Sequence, residues 1–483
     1  MTANDPYRCH KPSVKILDED QVRQIHMAAL GVLERTGVRI THDKILELLD
    51  AAGANVDGNR VRFPPEVVEA AIRTSPSHFI MGRRDGEPEI LLEDNNSWFG
   101  AGLDSPGYLD PVTDKRRPFT SKDCRVMAAI ANALPNYAWA MTLGLASDVP
   151  ANIAERLVAK QALTHCEKPL FFCSKEPESV RDIYDMAVLI AGSRKRFRQA
   201  PSIAAISSAT SPLSYDDGTL EKIIFCAEKG IPQVLYPALQ AGATSPATFA
   251  GTIVQASAES LCGLVIAQLI RKGTLVIFGA FTTIMDMGTT IFSYGAIEMN
   301  LMTAAMSQMA QHYQLPFFGT AGCSDAKFHD DPQAVIEATF SCLSSALSGA
   351  SFVHDSGLLD HSEITSPNYL VLIDEILSIV NRYMRGIVVN KETLALDLID
   401  RVGPGGNYLA EEHTMRHFRD VWYSELIDRT HYDAWLKQGS KGFTDRLQGK
   451  TKKIMDCQPT PLPTKIIDEI DRMEKQWYRD AGY

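Results

Sequence analysis

The spacing of hydrophobic positions changes three times along the 483 residues. From Asp18 to about Ala71 it is helical, with Ile25, Ala29, Val32 and Leu33 on one face and Ile45, Leu48 and Leu49 on another, which predicts an N-terminal helical cap. Residues 77–119 switch to short β-like runs, HFIMG and EILLE, divided by Gly, Pro, Asp and Asn, and predict a small sheet. Beyond that, short apolar segments alternate with longer helical ones, the pattern of a parallel sheet built from βα units. The candidate strands are 97–102, 137–144, 169–174, 202–207, 233–239, 275–281, 316–322 and 351–357. Eight is the number that closes a barrel, so the expected fold is α/β, a TIM (β/α)8 barrel. Helix starts are expected at Thr120 with Asp123, Asn152 with Glu155, Ser245 before Pro246, Asp331 before Pro332, and Ser366 before Pro367. A doubly wound open sheet is the rival, but no GxGxxG follows the first strand. After Gly386 strands give way to helical spacing around the loop GPGGNYL at 403–409. The chain thus divides into a cap with a small β segment (1–96), a barrel (97–386) and a helical extension (387–483). The extension is expected to wrap the barrel or to make a subunit contact in a homo-oligomer.

Composition removes several classes of function. With 45% hydrophobic residues the chain can bury a large core, and a net charge of −11 with no basic cluster argues against nucleic acid or an anionic membrane as partner. The most apolar stretches, 252–270 and 275–292, are interrupted by Glu259 and Asp286, so no membrane span is expected. The opening MTANDPYRCHKPSV lacks the charged flank and apolar run of a leader, and a cytoplasmic location is expected. Nine cysteines without CxxC pairs fit reduced thiols better than disulfides or a thiolate metal site.

In such a barrel the chemistry lies at the C-terminal ends of the strands. The first strand there offers Gly100, Gly102 and Asp104, followed by Tyr108. The fifth carries Tyr236, and the sixth ends in Phe281 and Asp286. The seventh runs into Gly322, Cys323, Ser324, Asp325 and Lys327, and the eighth ends in His354 and Asp355. Carboxylates beside aromatic rings and glycines suit a cationic ligand, because ring faces attract a quaternary ammonium that has no N–H to donate. A purely structural alternative pairs Asp325 with Lys327 and lets His354 and Asp355 end the strand. His413 and His417 have the spacing of zinc ligands but no Glu in an HExxH arrangement, and no metal site is expected. Cys323 lacks an identifiable base and is expected to line the pocket, while the methionines of 299–313 suit core packing.

Three ordered segments carry a family resemblance: LPFFGTAGCSDAKFHDDPQAVIEA (315–338), GASFVHDSGLLD (349–360) and GPGGNYLAEEHTMRHFRD (403–420). Together they resemble the trimethylamine methyltransferase superfamily over most of the chain. The resemblance implies a TIM barrel that passes a methyl group to the Co(I) corrinoid of a small partner protein. Trimethylamine-specific members carry pyrrolysine, whereas this sequence has standard residues throughout, so it resembles the branch acting on quaternary amines. Glycine betaine is the first choice of substrate; proline betaine, carnitine and γ-butyrobetaine are the others.

On that reading Asp104 and Asp355 are the expected catalytic carboxylates, with Tyr108 and Phe281 completing the cation site. Lys327, His354 or amides near Gly322 would take the betaine carboxylate. Gly100, Gly102, Ser324 and Asp325 would face the corrinoid. That cofactor must arrive on the partner, since no DxHxxG motif is present. A barrel hydrolase or lyase using Cys323 or the His354–Asp355 pair, and a non-catalytic betaine-binding relative, remain as rivals.

Overall fold

Each of the eight predicted apolar segments contains one strand, and the eight close on themselves. In chain order they are β1 (Trp98–Ala101), β2 (Trp139–Ala140), β3 (Leu170–Cys173), β4 (Ile203–Ser207), β5 (Gln233–Leu235), β6 (Val276–Gly279), β7 (Phe317–Thr320) and β8 (Phe352–Ser356). All neighbours are parallel and β8 returns to β1. The structure, a computed structural model, describes residues 11–92 and 96–483. Most of the N-terminal stretch read for a leader, and Glu93 of the EILLE run, lie outside them.

Each strand is followed by a helix that covers it. Numbering α1–α3 for the cap (Glu19–Gly31, Asp43–Ala51, Pro65–Thr74), these are α4 (Ser121–Ala133), α5 (Ala151–His165), α6 (Pro177–Ala191) and α7 (Asp217–Lys229). They continue with α8 (Phe249–Ile270), α9 (Ile297–His312), α10 (Pro332–Leu347) and α11 (Pro367–Met384). The β1–β8 and α4–α11 alternation is a TIM barrel. Three predicted caps form as expected: Asp123 accepts from the Thr120 amide at 2.8 Å, Asp331 from Gln333 at 2.9 Å, and Ser366 from Tyr369 at 3.2 Å. Two do not. α5 starts behind Pro150, whose fixed φ suits a helix entry, and Glu155 instead accepts from the Lys175 amide at 3.0 Å. α8 starts after Thr248, and the Ser245 hydroxyl bonds Thr252 at 2.9 Å.

Alternation along the strands sorts side chains to two sides. Leu170 and Phe172 face α5 and α6, while Phe171 points inward. There it meets Trp139 (centroids 4.3 Å), Phe352 (5.0 Å) and Phe318 (5.6 Å), an aromatic plug that fills the barrel axis. Strands five and six resume beyond the mouth as a parallel pair, Ala238–Ala241 with Phe281–Ile284.

In the cap, Ile25, Ala29, Leu33, Ile45 and Leu49 are buried as the helical spacing requires. A small sheet of three-residue strands, too short to show alternation, also forms there and is joined by Ser214–Tyr215. The runs at 80–82 and 88–91 pair as a hairpin. Among the described residues one helix, α8, is long and apolar enough to cross a membrane. Most of it is buried against barrel and cap, with Glu259 fully inside accepting bonds from Ser211 and Leu213. The methionines of α9 are core: Met299, Met302, Met306 and Met309 are at most 3% exposed. Beyond Gly386 the elements of the described chain are helices, as expected, with long loops between them.

Candidate active site

The pleat of β8 breaks where its chemistry begins. Its register against β1 shifts between Val353 and Ser356, and Asp355 takes a φ of 79°. A bulge of this kind re-aims a side chain, here turning Asp355 to the same side as His354. The His354 Nδ1 lies 3.0 Å from Asp355 Oδ2. The two do not align as a hydrogen bond, and neither Asp355 oxygen has a hydrogen-bond partner among the described residues although the side chain is fully buried. A carboxylate in that state is costly unless something positive comes to it.

Aromatic groups pack beside that pair. His354 rests edge-on against Phe318 (4.5 Å) and Tyr236 (5.0 Å), directly above the plug. Tyr236 shares a hydrogen bond with Thr320 and lies 6.5 Å from Phe281, which in turn meets Tyr294 at 4.9 Å and Phe292 at 6.0 Å. Burial, then the charge of Asp355, pushes the Tyr236 and Tyr294 phenols well above the ordinary tyrosine value. The same two causes raise the Cys323 thiol. A thiol held neutral is a poor nucleophile, so nothing here favours Cys323 chemistry.

Beyond the end of the neighbouring strand β1, Asp104 accepts a hydrogen bond from Thr142, and burial pushes its carboxyl up to about 7, helped by the charge of Glu155 and opposed by the Thr142 bond. The Cys173 thiol, at the end of β3, is raised by burial first, then by Asp104, with Asp355 adding to it. Both carboxylates therefore act electrostatically on the Cys173 thiol.

Of the residues expected from sequence, Phe281, His354 and Asp355 gather around Tyr236, and Asp104 follows the neighbouring strand β1. Others are otherwise engaged. Tyr108 is buried under the Arg117 guanidinium at 4.4 Å, so its ring face already serves a cation of the chain itself. Lys327 stands half exposed, 2.5 Å from Asp360, and the Gly322 amide donates to Ser341 at 3.1 Å. A Cβ on Gly100 would lie 2.3 Å from the Trp139 ring and one on Gly102 2.2 Å from Leu143. The room these glycines provide is filled by the chain's own side chains rather than left for a corrinoid. Ser324 donates to Glu337 at 2.5 Å. Asp325 is a clasp: it accepts from the Tyr294 amide at 2.8 Å and the Ser293 hydroxyl, and its Oδ1 lies 2.8 Å from His361 Nδ1. The sequence reading missed Tyr294 and Cys173. Tyr294 follows strand six within IFSYG, where an aromatic pair two residues apart was the available signal.

A profile of the family described as trimethylamine methyltransferase matches residues 2–476. The chain belongs to the trimethylamine methyltransferase family. A trimethylamine methyltransferase from Desulfitobacterium hafniense DCB-2 is 31% identical, covering 96% of this chain and 94% of that one. A glycine betaine methyltransferase from Desulfitobacterium hafniense Y51 is 30% identical over 98% of each. Among solved structures, the monomethylamine methyltransferase of Methanosarcina barkeri aligns at 12% identity and a TM-score of 0.49, over 93% of this chain and 96% of that one.

Membership makes the protein a methyltransferase. In this trimethylamine methyltransferase family member the groups at the barrel mouth are carboxylates, phenols, hydroxyls and a histidine. Among the described residues no group of three or more His, Cys, Asp or Glu could hold a metal ion. His413 and His417 do share one helix, with ring centroids 4.5 Å apart, and His417 is engaged by the carboxylates of Glu392 and Asp420.

Proposed function

We propose that this protein moves a methyl group from a small quaternary ammonium compound, glycine betaine being the simplest, to the Co(I) corrinoid of a separate protein. The observation that carries the reading is the buried Asp355 carboxylate, without a hydrogen-bond partner, whose charge acts on the Tyr236 and Tyr294 phenols, with Phe281 against both rings. A quaternary nitrogen has no N–H and is satisfied by charge and ring faces alone. The glycine betaine methyltransferase among its relatives supports the same choice.

In the transfer the N–CH3 bond breaks with its electron pair staying on nitrogen, which leaves as a neutral tertiary amine needing no proton. The methyl carbon is taken by the electron pair of Co(I). The chain's task is to hold and desolvate the cation with its methyl group toward the opening. Because the positive charge disappears in the transition state, rings and one carboxylate serve better than a tight ion pair. With Lys327 and the Gly322 amide engaged elsewhere, His354 is the donor left for a betaine carboxylate. The acceptor protein docks over the mouth, where Leu145, Met287, Ile291 and Phe328, on loops after strand ends, are 42–66% exposed.

The test mixes purified protein, a Co(I) corrinoid protein and each betaine, and reads the demethylated amine by mass spectrometry. Dimethylglycine is expected from glycine betaine only when the corrinoid protein is present. Amine release without it, or none from any betaine while the corrinoid protein is active with its own enzyme, overturns the reading.

A further inference from the structure

Beyond the C-terminal end of β8 the chain forms a hairpin, Leu358–Leu359 with Ile364–Thr365, which joins Gly107–Leu109 and Arg116–Pro118 in a four-stranded sheet. Its tip holds three successive residues in the left-handed region, Asp360 at φ 54°, His361 at 58° and Ser362 at 72°, and none is glycine. L-residues adopt that region singly and at a cost, so a run of three persists only where its neighbours fix it. Asp360 is fixed from two sides: its amide donates to Ala326 at 2.9 Å, and its carboxylate lies 2.6 Å from Arg116 and 2.5 Å from Lys327. His361 turns back to the loop after β7, where its Nδ1 lies 2.8 Å from Asp325 Oδ1 and Lys327 Nζ donates to its Nε2 at 3.3 Å. An ammonium can only donate, so Nε2 accepts and the ring proton sits on Nδ1, facing the carboxylate. The two atoms are close without lining up as a hydrogen bond, so the contact is one of dipole with charge.

We propose, on the quaternary ammonium reading of the site, that His361 is a positioning residue: it holds Asp325, and Asp325 in turn fixes the Tyr294 ring against Phe281. Asp325 accepts from the Tyr294 amide at 2.8 Å and from the Ser293 hydroxyl, and the Tyr294 ring stands 4.9 Å from Phe281 and 5.5 Å from Phe292. The loop leading to Tyr294 leaves Met287 and Ile291 exposed, so the Asp325 carboxylate supplies a tie that the loop's own packing lacks. Ser362, next to His361, adds a second tie. Its hydroxyl meets the Tyr294 phenol and its amide the Cys323 thiol, each opposing the rise that burial and then Asp355 impose. The cation site therefore depends on the tip keeping its left-handed turn. Glycine would adopt that turn without strain, and asparagine with little. A histidine there goes against that preference, and among the described residues its polar contacts are Asp325 and Lys327.

The experiment is isothermal titration calorimetry of the full chain with tetramethylammonium chloride, beside a thermal scan and hydrogen–deuterium exchange. His361→Gly accepts the φ of the tip and removes the ring, while His361→Asn accepts the same φ and restores a donor toward Asp325. In His361→Gly the dissociation constant should rise about ten-fold without a fall in melting temperature, and the stretch 291–296 should exchange faster. His361→Asn should bring the constant back to within about two-fold of the unaltered protein. Unchanged binding in His361→Gly, equal losses in the two variants, or a loss that comes with a lower melting temperature overturns the proposal. If the unaltered protein binds no tetramethylammonium, the quaternary ammonium reading falls, and exchange decides the role of His361 by itself. A faster rate at 291–296 in His361→Gly then upholds the positioning of Tyr294, and an unchanged rate refutes it.

Discussion

Asp355 concentrates cost and use in one side chain. A buried carboxylate without a hydrogen-bond partner, at a positive φ, weakens the fold where it gathers the site. Asp355→Asn keeps the shape and a residue that accepts left-handed φ, while removing the charge. It should lower kcat/KM about 100-fold, ~2.7 kcal/mol by the rate relation. Its melting temperature should rise, and an activity assay beside a thermal scan checks both. Asp104 gives a pH signature. Its folded carboxyl titrates at about 7, above the ordinary 3.8, so between those values the folded state binds more protons than the unfolded. Its contribution to stability is thus fully present below about pH 4 and lost as pH rises to 7. Asp104→Asn should remove that fall, measured by denaturant unfolding at several pH values. The placement of Asp104 and Asp355 at the ends of neighbouring strands was legible in the sequence, because residues there have few places to go. The engagements of Tyr108 and Lys327 were not, because Arg117 and Asp360 become their neighbours only through folding.

Strand and helix pairing followed the local pattern wherever a segment was long enough to show it. All eight barrel strands lie within apolar runs bounded by Gly, Pro or polar residues. The three-residue strands of the cap carry too few positions for alternation to register. Helix starts were legible where the capping side chain had no competitor, and obscured at α5, where Pro150 sets the entry and Glu155 bonds the next strand end. The glycines of β1 show how spacing misleads: Gly100 and Gly102 suggested open room, yet they make room for Trp139 and Leu143. Gly100→Ala should therefore destabilise the protein by ~1–3 kcal/mol, as overpacked cores do, read as a lower unfolding midpoint. The Asp325 clasp ties the loop carrying Tyr294 to the one carrying His361. Asp325→Ala should raise KM for the cation about ten-fold with a smaller change in kcat, and steady-state kinetics would show whether the loss lies in binding.

The whole barrel is asymmetric from end to end. Its mouth carries carboxylates, rings and exposed apolar loops, and its opposite end carries part of the helical extension, Val421 and Trp422 beside Trp98. Met287→Asp with Phe328→Asp should weaken the corrinoid protein as substrate about ten-fold while leaving transfer to free Co(I) cobalamin unchanged, which parallel assays with the two acceptors would resolve. Between the two ends stands the plug of Trp139, Phe171, Phe318 and Phe352, and it makes the site a chamber with one door. Whatever gives up the methyl group and whatever receives it must use the same opening. The donor has to enter before the acceptor covers it, and the spent donor can leave only after the acceptor withdraws. Turnover should accordingly follow a compulsory order, with excess acceptor protein inhibiting by shutting out the next donor molecule.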